Sequence, residues 1–510
     1  MIFLRPVRFA VFALCFLSVA TQAAKKNVLI IQTDEHNFRT LGVYRDLMSR
    51  EQAFVWGDGV KVDTPHIDRI GKEGAVCTSY YATSPVCTPS RASLMSGLYP
   101  QNTGSIQNDR PLLDSVVTFA EVLRRKGYAT GYAGKWHLDG TAKPGWGPKR
   151  KFGFEDNRYM FNRGHWKKLE ITEEGPRVGA KNKKGEPAYG VDGADEKTFT
   201  TDFLTDRTID FINTHKDEPF CYMVSIPDPH GPNTVRAPYD TMFDPAQFRQ
   251  PPSALAKGKG LPSFMDVVQD RFKASLMAQY FGMVKCIDDN MGRVFETLEK
   301  HGILDDTIIV FTSDHGDMCG ELGRHNKGIP CEGSARIPFL IRAPGLVKKG
   351  AVIHEALGTV DFKPTLLGLL GESSPEKVEG RDASGLFKKG KAPKAWEDMA
   401  FVRIESAAKA WFAAFTKRHK LVISRSDDPA LFDLKNDPNE LNNVFADPKN
   451  RGLIRDLAKG LSDYAESTKD PHLSYESIKA DLKWAVSDSE TYVPSERKPS
   501  AAKKKRGKSK

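Results

Sequence analysis

Apolar residues along this chain come in short unbroken runs, and segments with helical spacing lie between them. Asn27–Thr33 (NVLIIQT) is apolar at consecutive positions, the pattern of a strand buried on both faces. Tyr128–Ala133, Pro219–Ile226 (PFCYMVSI), Thr307–Thr312 (TIIVFT) and Pro338–Arg342 (PFLIR) repeat that pattern. Val117–Gly127 (VTFAEVLRRKG) has helical periodicity and stops at a glycine, and Ala278–His301 predicts a long helix. Strands alternating with helices predict an α/β domain built on a large, mainly parallel sheet flanked by helices. The pattern changes after about Gly371. Met399–Ser406 and Trp411–Arg425 predict antiparallel strands, Leu431–Asp437 runs into an Asp-Pro turn, and Leu453–Ala465 predicts an amphipathic closing helix. Residues 375–480, with Pro375–Asp470 as the patterned part, are read as a smaller C-terminal α+β unit containing an antiparallel sheet. Residues 25–374 are read as the main domain.

A length of 510 residues exceeds one compact core and agrees with two units plus tails. Phe9–Ala20 is an apolar run behind Arg5 and Arg8, and small residues follow up to Ala24. It is too short to span a bilayer comfortably and reads as a cleaved secretory signal, residues 1–24. The expected location is therefore periplasmic or extracellular, with no stable membrane span. The formal charge is +10, but Val493–Lys510 holds eight Lys or Arg against one Glu, and the leader adds two arginines. Removing those seven and two charges leaves +1 for the body, so its charge does not point to nucleic acid. Residues 481–510 are read as a basic tail without a folded pattern. Cys15 lies in the leader. The other six cysteines, Cys77, Cys87, Cys221, Cys286, Cys319 and Cys331, are too scattered for a disulfide scaffold. A Cys319–Cys331 pairing is left open.

Three predicted strands end in polar clusters: Asp34-Glu35-His36, Asp228-Pro229-His230 and Asp314-His315-Gly316-Asp317. Parallel sheets carry function at the carboxyl ends of their strands, so these clusters converge on one crevice if the strands are neighbours. A carboxylate after a strand is by itself more often a helix cap. Asp34, Glu35 and Asp314 offer hard oxygen ligands suited to Ca²⁺, Mg²⁺ or Mn²⁺ better than to a thiophilic metal, and His315 adds an imidazole, which is unusual for calcium.

Residues 84–104 read SPVCTPSRASLMSGLYPQNTG, with Cys87-Thr88-Pro89-Ser90-Arg91 at their centre. Downstream come GYATGYAGKWHL (127–138), PDPHGP (227–232), TSDHGDMCGELGRHNKG (312–328), RIPFLIRAPG (336–345) and LFDLKNDPNELNN (431–443), and upstream DTPHIDRI (63–70). Together and in this order, these segments resemble the type I, formylglycine-dependent sulfatases of the alkaline-phosphatase-like superfamily. The resemblance implies that a maturation enzyme oxidises Cys87 to formylglycine. A hydrated aldehyde offers one hydroxyl to attack sulfur and a second whose deprotonation expels sulfate, which splits one hard step into two. The resemblance assigns Asp34, Glu35, Asp314 and His315, with residue 87, to a divalent metal. Glu35 departs from the Asp or Gln usual at its position. Arg91 corresponds to the support of residue 87 and the metal, and Lys135 and His137 to the pair beside the nucleophile, with His137 as the base. His230 and Lys327 correspond to sulfate binding and leaving-group departure. Taken singly, Lys135 reads as a surface lysine, His230 as a loop cap and Cys87 as a buried thiol; the shared motifs reverse those readings.

The expected substrate is a sulfated carbohydrate or an aryl sulfate. The competing readings are a phosphonate or phosphodiester hydrolase on the same site, and a catalytically inactive, secreted glycan-binding protein. Phe38–Asp63, Gly140–Lys197 and Asn233–Ser263 are read as pocket-lining loops carrying Arg158, Arg163, Trp166 and Arg236. His325 and the His165-Trp166 pair are further candidate substrate contacts.

Overall fold

A computed structural model describes residues 25–268, 272–405, 410–489, 491–495 and 497. Residues 1–24, read from the sequence as a signal, and all of the basic tail beyond residue 497 lie outside the described residues. Eight strands form the main sheet: β1 (Asn27–Asp34), β2 (Ala75–Cys77), β3 (Ala129–Lys135), β4 (Asp156–Phe161), β5 (Phe220–Pro229), β6 (Thr307–Ser313), β7 (Phe339–Arg342) and β8 (Ala351–Ile353). Their order is β8-β2-β7-β6-β1-β5-β3-β4. Neighbours pair in parallel except β7, which runs antiparallel to both β6 and β2. The PFLIR run is thus a strand of the sheet, but it runs in the reverse direction.

The unbroken apolar runs have a direct physical reading. Side chains alternate across a strand, so each run must satisfy two cores at once. Val28 and Ile30 of β1, Ile308 and Val310 of β6, and Cys221 and Met223 of β5 point to one face. There they meet α2 (Cys87–Ser96), α3 (Phe119–Arg125) and α6 (Phe362–Leu369). Leu29 and Ile31, Ile309 and Phe311, and Tyr222 and Val224 point to the other face. That face is covered by α1 (Pro65–Glu73), α4 (Thr200–His215) and α5 (Ala274–Lys300). The long helix α5 starts four residues before the expected Ala278.

The C-terminal sheet is antiparallel: β9 (Ala400–Ile404), β10 (Trp411–Phe415), β11 (His419–Ser424) and β12 (Ala430–Asp433), in that order. The stretch Trp411–Arg425 divides at a turn into β10 and β11. One face of this sheet, with Val402, Trp411, Ala413 and Phe432, packs on Met265, Met318, Leu322 and Ile329 of the main domain. The other, with Phe412, Leu421 and Ile423, is covered by α7 (Arg451–Ser467) and α8 (Glu476–Val486). Ile478, Leu482 and Ala485 anchor α8 in that core, so the boundary at residue 480 cuts a packed helix and the folded chain continues past it. Cys319 and Cys331 are both free and buried, so they form no disulfide.

Candidate active site

The sheet order makes β6, β1, β5 and β3 consecutive neighbours, and their carboxyl ends bring the polar clusters together. Asp34 closes β1, Asp314 follows β6, His230 follows β5, and Lys135 closes β3 with His137 two residues on. Glu35 and His137 leave their strands with φ of 64° and 61°, a left-handed turn that re-aims each side chain over the sheet edge. Cys87 enters from one face as the first residue of α2 and is buried. Free backbone N–H groups at a helix N-terminus favour negative charge at that position.

Arg91, one turn along α2, is fully buried and ties this helix to the strand ends. Its Nε donates to Asp314 Oδ2 (2.9 Å) and Nη2 to Asp34 Oδ2 (3.0 Å). Nη1 donates to Gln32 Oε1 (3.1 Å), the Lys135 carbonyl (2.8 Å) and Ser225 Oγ (2.7 Å). Lys135 Nζ donates to Asp34 Oδ2 at 2.5 Å. Burial pushes the Asp34 carboxyl up, but Lys135 and Arg91 among its neighbours outweigh it and hold the group well below the usual range. Asp314 goes the other way: burial and the adjacent Asp34 raise it. Burial also raises the Cys87 thiol, but Lys135, Lys327, His315 and the neighbouring His137 hold it well below the ordinary thiol range.

Ligand atoms of Asp34, Cys87, Asp314 and His315 lie within 4.8 Å of one another, all buried. His315 Nδ1 lies 3.0 Å from the Gly316 carbonyl and Nε2 lies 3.2 Å from Cys87 Sγ. Asp34 Oδ1 is buried and accepts no hydrogen bond among the described residues. An unpaired carboxylate oxygen in a dry site is costly, and a cation beside it removes that cost, so this group fits a hard divalent ion. Glu35 is outside the four-residue group. Its Oε2 lies 2.9 Å from His230 Nε2 and its Oε1 lies 3.1 Å from Lys327 Nζ, ion-pair contacts without hydrogen-bond geometry. Burial raises Glu35, but His230 and Lys327 lower it further, to about 2. His230 is raised in turn, Glu35 outweighing burial.

Cys87, Arg91, Lys135, His137, His230, Lys327, Asp34, Asp314 and His315 therefore share one site. His165 joins them: it stacks on His230 with ring centroids 3.5 Å apart, and its Nε2 lies 2.7 Å from Lys135 Nζ. Trp166 instead lies in the core under the sheet, and Arg236 is bound to buried Asp202, so neither is a rim contact. Arg158 pairs with Asp156 at the opposite end of β4 from the crevice. His36 is buried between Thr33 and Thr40, and burial pushes it down to about 3. Asp109 carries no sequence signal: it faces His137 from a loop without a pattern, and Arg163, which touches it, reads from the sequence only as a loop arginine.

Residues 26–372 match the sulfatase family profile. The chain belongs to the sulfatase family. Residues 320–467 of this sulfatase also match the C-terminal region of N-sulphoglucosamine sulphohydrolase. An ulvan-active sulfatase of Formosa agariphila is 29% identical, over 86% of this chain and 80% of its own. The N-acetylglucosamine-6-O-sulfatase of Bacteroides thetaiotaomicron is 26% identical, over 92% and 91%. The phosphonate monoester hydrolase of Agrobacterium radiobacter superposes with a TM-score of 0.66 at 25% identity, covering 87% of this chain and 96% of its own. The enzyme is a type I sulfatase with the α/β fold expected from the strand pattern. Among the described residues, no helix is long and apolar enough to cross a membrane.

Proposed function

We propose that this sulfatase hydrolyses sulfate monoesters of a sulfated carbohydrate, using residue 87 matured to formylglycine and a divalent metal, Ca²⁺ foremost. The observation that carries this reading is the convergence of Cys87 with Lys135, Lys327, His137 and His230 around a buried carboxylate pair. Two similar proteins named for carbohydrate sulfate substrates support the substrate class. Asp34, Asp314, His315 and residue 87 would hold the metal, with Glu35 beside them; bound there, it supplies Lewis-acid polarisation of a sulfate oxygen. Formylglycine supplies a hydroxyl nucleophile at this position once hydrated.

The chain's own groups account for the rest. Lys135 and Lys327 place fixed positive charge where negative charge builds on the sulfate oxygens. His230, held above its ordinary range by Glu35, keeps a proton close to where the ester oxygen departs. His137 takes the proton that must leave the second hydroxyl on residue 87. Arg91 holds Asp34 and Asp314 in place and offsets their charge. Residues 25–374 are assigned the catalytic role and the C-terminal unit a supporting one. The leader read at residues 1–24 supports export, and maturation requires a formylglycine-generating partner.

The test is a parallel assay of defined sulfated saccharides, aryl sulfates and phosphodiesters, with sulfate or phosphate release as readout. Sulfated saccharides are expected to turn over fastest. Phosphodiester turnover equal to or above sulfate turnover would reject the reading in favour of the phosphonate-type activity of the similar solved enzyme. Mass spectrometry of the residue-87 peptide tests the modification; an intact thiol alongside full activity would reject it.

A further inference from the structure

Asp109 has no part in the chemistry assigned so far, yet its carboxylate reaches into the site. Its Oδ1 lies 3.1 Å from His137 Nε2. Its Oδ2 lies 2.9 Å from Arg163 Nη2. The His137 side chain is 6% exposed, that of Asp109 29% and that of Arg163 37%, so the chain of contacts runs from solvent to the buried nucleophile. Both Asp109 and His137 take left-handed backbone, φ 68° and 61°, which turns the two side chains toward each other from different loops. The loops are locked together locally. His137 N–H donates to the Asn162 carbonyl (2.7 Å), beside Arg163. Thr88 Oγ1 donates to the His137 carbonyl (2.9 Å), and Thr88 N–H donates to Asn108 Oδ1 (3.1 Å), beside Asp109.

A carboxylate only accepts, so the proton between Asp109 and His137 belongs to Nε2. In a neutral imidazole that leaves Nδ1 bare. Nδ1 of His137 is buried and has no hydrogen-bond partner among the described residues. A buried, unpartnered acceptor next to residue 87 is what a base needs to keep in reserve. Arg163 holds the other carboxylate oxygen and so fixes the plane of Asp109, as a second contact orients the orienting acid in a carboxylate–imidazole–nucleophile relay.

We propose that Asp109, braced by Arg163, is a positioning residue that fixes His137 in the Nε2–H tautomer and leaves Nδ1 free to accept the proton from residue 87. The proposal rests on the sulfatase reading for the identity of that proton. The tautomer itself is independent of that reading.

Two measurements test it. The first is ¹⁵N NMR of histidine-labelled protein in its unmodified Cys87 form, with His137→Gln assigning the His137 signals. Wild type is expected to show Nε2 protonated and Nδ1 bare. Asp109→Asn, whose amide can donate, is expected to lose that pattern, and Asp109→Glu to keep it. The second is steady-state and first-turnover kinetics on the matured enzyme. Asp109→Asn is expected to lower kcat about 10²–10⁴-fold with KM little changed and first-turnover release of the alcohol retained. Arg163→Gln, which leaves the carboxylate in place, is expected to mix the tautomers and lower kcat less; it serves as the second variant should Asp109→Asn fail to fold. An unchanged His137 tautomer in both variants overturns the proposal, and so does a kcat within about threefold of wild type in Asp109→Asn. A wild type with no activity on any sulfate ester would instead reject the sulfatase reading, while the NMR result would still decide the role of Asp109.

Discussion

Replacing Arg91 by Met keeps the length and apolar stem of the side chain and removes its charge and all five of its hydrogen bonds. The two carboxylates it bridges do not lose equally. Asp34 keeps Lys135 at 2.5 Å, whereas the remaining charged partner of Asp314 among the described residues is His315, 3.5 Å away. Removing one partner of a fully buried pair costs about 3–5 kcal/mol, chiefly through the uncompensated charge left behind. The loss in Arg91→Met should therefore fall near 3–5 kcal/mol and come mainly from Asp314. Adding Asp314→Asn removes that stranded charge, so the double variant should be less destabilised than the sum of the singles by about 1.5–3 kcal/mol. Urea unfolding at neutral pH in a chelator, followed by tryptophan fluorescence, measures both quantities. A loss below about 1 kcal/mol for Arg91→Met, or strictly additive singles, would refute the argument that Arg91 acts as the charge bridge between helix and strand ends.

Other outcomes follow from the same geometry. Cys87→Ala should leave the fold intact and remove turnover, as seen by sulfate release together with an unchanged unfolding midpoint. His230→Asn should slow esters of poor leaving alcohols by about 10²–10⁴-fold and activated aryl sulfates much less; equal losses on both would argue against proton donation at the ester oxygen. Saturation with Ca²⁺ at a hundredfold excess over its dissociation constant should stabilise the protein by about 2.7 kcal/mol, and Asp314→Asn should abolish that gain. Glu440 shares a buried site with Glu332 around Lys420; burial raises its carboxyl, and with Glu332 it overcomes Lys420 to hold it at about 7. The folded state then keeps a proton that the unfolded chain loses above its ordinary 4.5, so stability falls as pH rises from about 4.5 through about 7. Glu440→Gln should flatten that fall in thermal melts across the window, and a slope unchanged from wild type would reject the assignment.

Much of this was legible in the sequence because it depends on local pattern. Runs such as NVLIIQT specify strands buried on two faces, since consecutive apolar side chains point to opposite sides of a strand. Cys87, Arg91, Lys135 and Asp314 stand in short motifs, each fixed by a strand end or the first turn of a helix. The reversed strand β7 was not legible, because a four-residue apolar run carries no direction. Nor was the end of the folded chain, because α8 is recognisable only by what Ile478, Leu482 and Ala485 pack against.

The sequence by itself determined five of the eight main-sheet strands, the family and the types of group at the site; β2, β4 and β8 are too short or too polar to stand out as apolar runs. Only the tertiary structure decided their partnerships. It made β6, β1, β5 and β3 neighbours, turned Glu35 toward His230 and Lys327 instead of the four-residue ligand group, sent Trp166 and Arg236 into the interior, and brought Asp109 to His137. These contacts join residues far apart in the chain, and pairwise electrostatics between them depends on distance and burial, which no local pattern encodes.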